Sequence, residues 1–331
     1  MKNFTLKSLI LKITLALVIA ILPTQSIVAQ DLDPVLVSEV SNGDVEAAKK
    51  LLLAAGINVD DEASVSNVTL QILQLVLMSS ESATIQSTIE AAVASMTRAV
   101  FELATEAKLS AEDTTAAVEA TAQGAVTAVV SAPAVSEANL SAAVAASSKG
   151  ATSGAMLAAS AAQQDSTVST VSVAEAAKAA TEGSMVALSA LVEDDKPLTV
   201  VVDAVQAAAA GASQAAVTTA VAVNADPATI VTVVAASAET GADSISEDYG
   251  INVVINEAVS SGVQQGTLAG ANEAGIPSDA ASELAEAAQT AADDAASNDS
   301  GSADSDIPDP VFSDPEDDSE VQASPSTGAN K

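Results

Sequence analysis

The chain has 331 residues with no Cys, His or Trp, and 44 acidic against 11 basic residues give a formal charge of −33. Without His or Cys, a Ser-His-Asp triad, a thiolate nucleophile and the usual zinc or haem ligation are excluded. So negative a chain is also ill suited to nucleic acid, because phosphate binding needs basic surface.

Residues 1–29 read as a secretory signal peptide. Lys2, Lys7 and Lys12 form the positive start, Ile13 to Leu22 (ITLALVIAIL) the apolar run, Pro23 the break, and Ala29 the small residue before cleavage at Gln30. The uncharged stretch between Lys12 and Asp31 is only 18 residues and contains Pro23, Thr24, Gln25 and Ser26, which is short and polar for a bilayer span. Cleavage would leave eight basic and 44 acidic residues, a charge of −36. No Cys follows the apolar run, so a lipobox anchor is unavailable and the mature protein is expected to be exported and soluble. The site is periplasmic, cell-surface or extracellular. With no Cys, no disulfide stabilises it there.

The body is Ala-rich. Its 74 alanines supply nearly half of the 49% hydrophobic content, and Phe101 and Tyr249 are the only large rings between the leader and the tail. An Ala core gains little area per residue. Ala is the best helix former and is depleted in strands, so the consistent solution is many helices packed at short axial distance.

Residues 30–80 form an N-terminal helical segment with larger apolar side chains, including Leu51, Leu52, Leu53, Leu70, Ile72, Leu73 and Leu77. Within it, Asn42-Gly43-Asp44 through Leu51-Leu52-Leu53-Ala54-Ala55-Gly56 resembles the second helix and exit turn of an ankyrin repeat. One extra residue precedes the closing Gly, no Thr-Pro-Leu-His block comes before, and no second copy follows. The stretch is therefore read as a capped helix ending at Gly56, not as an ankyrin domain.

Residues 81–297 form an Ala-rich helical repeat region. Over 84–108, Ile85, Ile89, Val93, Met96, Val100 and Leu103 fall on one face of a helix, while Glu90, Arg98, Glu102 and Glu106 predict a wet side. A degenerate pattern then recurs at Ala116–Gly124, Ala142–Gly150, Glu175–Gly183, Asp203–Gly211 and Val233–Gly241, and 91–99 matches with Ala99 in the Gly place. The glycines are 26, 33, 28 and 30 residues apart, as in helices joined by loops of varying length, a tandem array forming either a bundle or an irregular solenoid. Helix starts are signalled by Asp226-Pro227, by Ser110 to Asp113 as a capping box, and by the breaks at Asp194–Pro197 and Pro277–Asp279. Residues 298–331 carry nine acidic residues from Asp299 to Glu320 among four prolines, and read as a disordered acidic tail.

Small residues four apart (Gly124/Ala128, Gly150/Gly154, Gly183/Ala187, Gly211/Ala215, Gly262/Gly266, Gly266/Gly270) mark close helix crossings. The uncharged run 204–225 is long enough for a bilayer but is mostly Ala with Gln, Ser, Thr and Asn, so close packing is preferred over insertion. No Ser stands three before a Lys, and there is no Walker A or Gly-x-Gly-x-x-Gly sequence. No catalytic, cofactor-binding or metal-binding residue is assigned. The tail acids Asp304, Asp306, Asp309, Asp314, Asp317 and Asp318 lack EF-hand order, so only weak Ca²⁺ association is expected of them.

The composition resembles that of surface-exposed structural proteins of bacteria. The expectation is an exported, non-enzymatic structural or interaction protein of the cell envelope, surface or matrix, acting through self-association or a protein partner. Two alternatives stand beside it, a soluble helical-repeat scaffold that binds a protein or peptide and a membrane-inserting helical protein.

Overall fold

The computed structural model describes residues 32–80, 84–164, 171–246 and 251–299. The leader, Tyr249 and the tail from residue 300 lie outside them. Among the described residues the chain is all-α, with no strand, in twelve helices: α1 (Pro34–Ser41), α2 (Val45–Ala54), α3 (Glu62–Ser79), α4 (Ile85–Glu106), α5 (Ala111–Ser131), α6 (Glu137–Gln164), α7 (Val173–Val186), α8 (Ser189–Glu193), α9 (Leu198–Ala222), α10 (Pro227–Ser246), α11 (Asn252–Glu273) and α12 (Ser278–Asp299). The last of these runs two residues into the stretch assigned to the tail, within the usual scatter of helix ends.

Local chemistry starts and stops these helices. Asp44 caps α2 by accepting from the Ala47 N–H at 2.9 Å, and Asp226 caps α10 by accepting from Thr229 N–H at 3.2 Å. At α5 the Ser110 hydroxyl accepts from Asp113 N–H at 3.1 Å and donates to the Asp113 carboxylate at 2.7 Å, a one-sided cap in place of the expected box, in which the carboxylate would accept from the Ser110 backbone N–H. A reciprocal capping box stands at Ser172 and Glu175, opening α7. The helix from Asp44 ends as the spacing predicts: Gly56 has φ +76, and Ile57 N–H reaches back to the Leu52 carbonyl at 3.1 Å.

The helices lie in two rows. One row holds α2, α4, α6, α9 and α11, the other α3, α5, α7, α10 and α12, and α1 packs on α2, α3 and α4. The long helices alternate between rows, so from α3 to α11 each packs most extensively on a neighbour in its own row, while α12 packs on α11 at least as extensively as on α10. Hydrogen bonds give the directions. Ser260 to Asp293 and Gln264 to Gln289 run antiparallel across α11 and α12. Gly150 over Glu90 and Gly154 over Ala94 run parallel across α6 and α4. No helix before α6 packs on α11 or α12 among the described residues, so the rows do not close on themselves.

Backbone proximity inside each row is set by the glycines. A Cβ placed on Gly124 would lie 2.2 Å from the Ser66 carbonyl oxygen, on Gly183 2.1 Å from that of Glu119, on Gly211 2.2 Å from that of Ala145, and on Gly266 2.1 Å from that of Ala210. The hydrogen in place of that Cβ therefore points at a carbonyl, a Cα–H···O contact worth about 0.5–1 kcal/mol. Gly262, Gly266 and Gly270 of α11 meet Gln206, Ala210 and Gln214 of α9 in one unbroken register.

The core changes along the stack. Phe101, Leu51, Leu52, Ile72, Leu73, Leu77, Ile89 and Met96 fill the first hairpins, whereas α9 to α12 are packed mainly with Ala, Val and Gly. The face of α4 predicted from its spacing is buried throughout. Its wet side is narrower than the pattern suggests, because α6 brings Gly150 and Gly154 down onto the backbone at Glu90 and Ala94. Some buried hydroxyls return to their own helix, as Thr97, Thr121, Thr181 and Ser184 do at 2.8–2.9 Å, whereas those of Thr69, Ser147, Ser148, Thr152, Ser213 and Thr267 are buried without a partner.

An Ala in place of Gly inside an ordinary exposed helix gains about 1 kcal/mol. Gly266→Ala is expected to do the reverse, lowering stability by about 1–3 kcal/mol through backbone overlap. Urea unfolding reads this directly, and an unchanged or raised midpoint would refute the contact.

Candidate functional site

No catalytic constellation was expected from the sequence, and the described residues hold no group of three His, Cys, Asp or Glu able to hold a metal ion. The six tail aspartates considered for Ca²⁺ lie outside the described residues. What the fold builds instead is a set of acidic grooves and half-buried carboxyls along the α3–α12 row.

The first groove lies between α5 and α7, about 460 Å³, lined by Glu112, Thr115, Glu119, Glu175, Lys178 and Glu182. Its acidity follows from the row contact. The Glu119 carbonyl receives Gly183, so the Glu119 side chain is pressed into the seam between the two helices. Burial first, then the Glu182 and Glu62 carboxylates, push the Glu119 carboxyl up to about 7, against the opposing pull of Lys178. Burial also raises Glu182, while Lys178 at 3.7 Å holds it down. A second groove, about 500 Å³, lies between α10 and α12 and is lined by Thr232, Glu283, Glu286, Thr290 and Asp294.

On the other row a polar belt links four helices. Lys149 of α6 stands 3.3 Å from Glu90 of α4 and 3.6 Å from Glu273 of α11, and Gln214 of α9 donates to Glu273 at 2.8 Å. These groups are partly exposed, so the belt orients side chains more than it stabilises the fold. Lys49 of α2 pairs with Glu106 of α4. That hydrogen bond, opposed by burial, raises the Lys49 ammonium above its usual value.

The residue that the sequence reading passed over is Glu239. It is 0% exposed, both carboxyl oxygens lack a hydrogen-bond partner, and burial, with Asp243 and Asp293 adding repulsion, pushes its carboxyl up to about 8. The repeat itself carried the signal. Two residues before each repeat glycine stand Ala122, Ser148, Thr181, Ala209 and Glu239, and all are buried. Only one of the five is ionisable.

Comparison with protein-family models, with curated proteins and with solved structures finds no match for the chain.

Carboxyls whose values rise on folding stabilise the native state fully below their ordinary 4.5 and lose that contribution as pH climbs through about 7 for Glu119 and 8 for Glu239. Asp226 is lowered, chiefly by the Thr229 hydroxyl, and its effect falls below this window. The melting temperature is therefore expected to fall from pH 5 to pH 8.5. Glu119→Gln should raise it by a few degrees at pH 8 and leave it unchanged at pH 5; equal shifts at both values would contradict the assignment.

Proposed function

We propose that this chain is an exported, non-enzymatic structural or interaction protein of the cell envelope, surface or matrix, and that its helical stack is the part that meets partners. The observation that carries this reading is the pair of rows that do not close among the described residues, which leaves long continuous faces. Stacked helical arrays use such faces to bind extended partners. The acidic grooves and the charge of −33 give these faces one sign.

The same charge repels a second copy at low ionic strength and lets it approach once screened. Self-association is thus proposed to depend on salt, with the acidic tail adding weak Ca²⁺ dependence. A nucleic-acid partner is not proposed, since a chain with a net charge of −33 repels phosphates. Membrane insertion has one helix in its favour: α9 is the only helix among the described residues long and apolar enough to cross a bilayer. Its Gly and Ala faces are occupied by α6 and α11, so insertion would require those contacts to open.

Size exclusion with light scattering on residues 30–331, at low salt, at high salt and with added Ca²⁺, tests the proposal. Oligomers that grow as the negative charge is screened are the expected result. A monomer under every condition would overturn the structural role and leave a scaffold for a different protein.

A further inference from the structure

We propose that α12 is a terminal latch, docked on α10 and α11 while the buried Glu239 side chain is a neutral acid and released when that side chain ionises. The inference goes beyond the proposed role and does not depend on it.

The geometry supplies the trap. Glu239 is fully covered, and neither carboxyl oxygen has a partner. The protein interior tolerates a neutral carboxyl there, whereas an unpaired buried carboxylate is far more costly. Nor can α10 turn to lift the side chain into water. Two residues on, Gly241 sits so close to α7 that a Cβ would lie 2.7 Å from the Met185 Cβ and 3.1 Å from the Glu182 carbonyl oxygen.

Among the described residues, the charges acting on Glu239 are those of Asp243 and Asp293. Asp243 stands one turn along α10, and Asp293 comes from α12, its carboxylate accepting from the Ser260 hydroxyl of α11 at 2.7 Å. The remaining charges of the helices around α10 are Asp203 on α9, Glu193 on α8, Glu257 and Glu273 on α11, and Glu175, Lys178 and Glu182 on α7. Of these only Lys178 is positive, and it is engaged with Glu182 at 3.7 Å. Besides Asp293, α12 carries Asp279, Glu283, Glu286, Asp294 and Asp299 and no basic residue.

The element that yields is the last helix of its row. α12 buries Ala281, Ala285, Ala288 and Ala292, with Leu284 and Ala291 partly buried beside them, and its packing partners among the described residues are α10 and α11 alone. Alanines contribute little area each, so a single buried charge facing two aspartates is enough to shift the balance. With α12 docked, the carboxyl holds its proton up to about 8; undocking removes the Asp293 charge and admits water, and both lower that value. Between the lowered value and about 8 the docking constant falls by about tenfold per pH unit.

Hydrogen exchange of the purified full chain between pH 6 and pH 9, expressed as protection factors, tests this. Protection over 278–299 is expected to fall at least tenfold further than that over 85–106. Glu239→Gln should remove this excess fall. Asp293→Asn, which removes one repelling charge and keeps an accepting oxygen for Ser260, should shrink the fall. No excess fall over α12 in the wild type overturns the latch, as does an undiminished excess in Glu239→Gln. If Glu239→Gln does not fold, a fall in Asp293→Asn equal to that of the wild type overturns it instead.

Discussion

The contact on which the rest of the structure depends is a glycine Cα–H placed against a backbone carbonyl of the preceding helix in the same row. Each row repeats it: Gly124 on Ser66, Gly183 on Glu119, Gly150 on Glu90, Gly211 on Ala145, Gly266 on Ala210. At that separation a Cβ in the glycine place would overlap the facing backbone, and small neighbours suit the seam, in keeping with a chain of 74 alanines and almost no aromatic residues. Small side chains bury little area, and close backbones compensate with dispersion and weak hydrogen bonds. The composition and the architecture are one constraint seen twice.

The same closeness decides the electrostatics. A residue whose carbonyl receives a glycine has its side chain pressed into the seam, and at Glu119 that residue is acidic. Glu239 lies two positions before Gly241, on a face that is core in every copy of the repeat. Packing at the backbone thus forces carboxyls inside a protein whose surface is already strongly negative, and ties its cohesion to acidity. Salt and pH therefore act on the same set of carboxyls.

Much of this was legible in the residues. The spacing of Ile85, Ile89, Val93, Met96, Val100 and Leu103 identifies a helix face, Asp44 and Gly56 mark both ends of α2, and small residues four apart mark the crossings. The pairing of those crossings was not. Glycine intervals of 26, 33, 28 and 30 look irregular because successive glycines belong to different rows. Taken row by row, Gly124, Gly183 and Gly241 are 59 and 58 residues apart, and Gly150 and Gly211 are 61. Each interval spans two long helices, and a search for one helix per interval blurs it. The burial of Glu239 was hidden for a related reason. Composition marks Glu as a surface residue, and only the repeat register places it in the core.

The central claim is the close parallel approach of α9 and α11, and nuclear Overhauser contacts between backbone protons test it most directly. The account predicts a ladder of cross-peaks from the Hα protons of Gly262, Gly266 and Gly270 to those of Gln206, Ala210 and Gln214, in that order. Helices held apart at ordinary side-chain distance would give none. A missing ladder, or one displaced in register, would contradict the account.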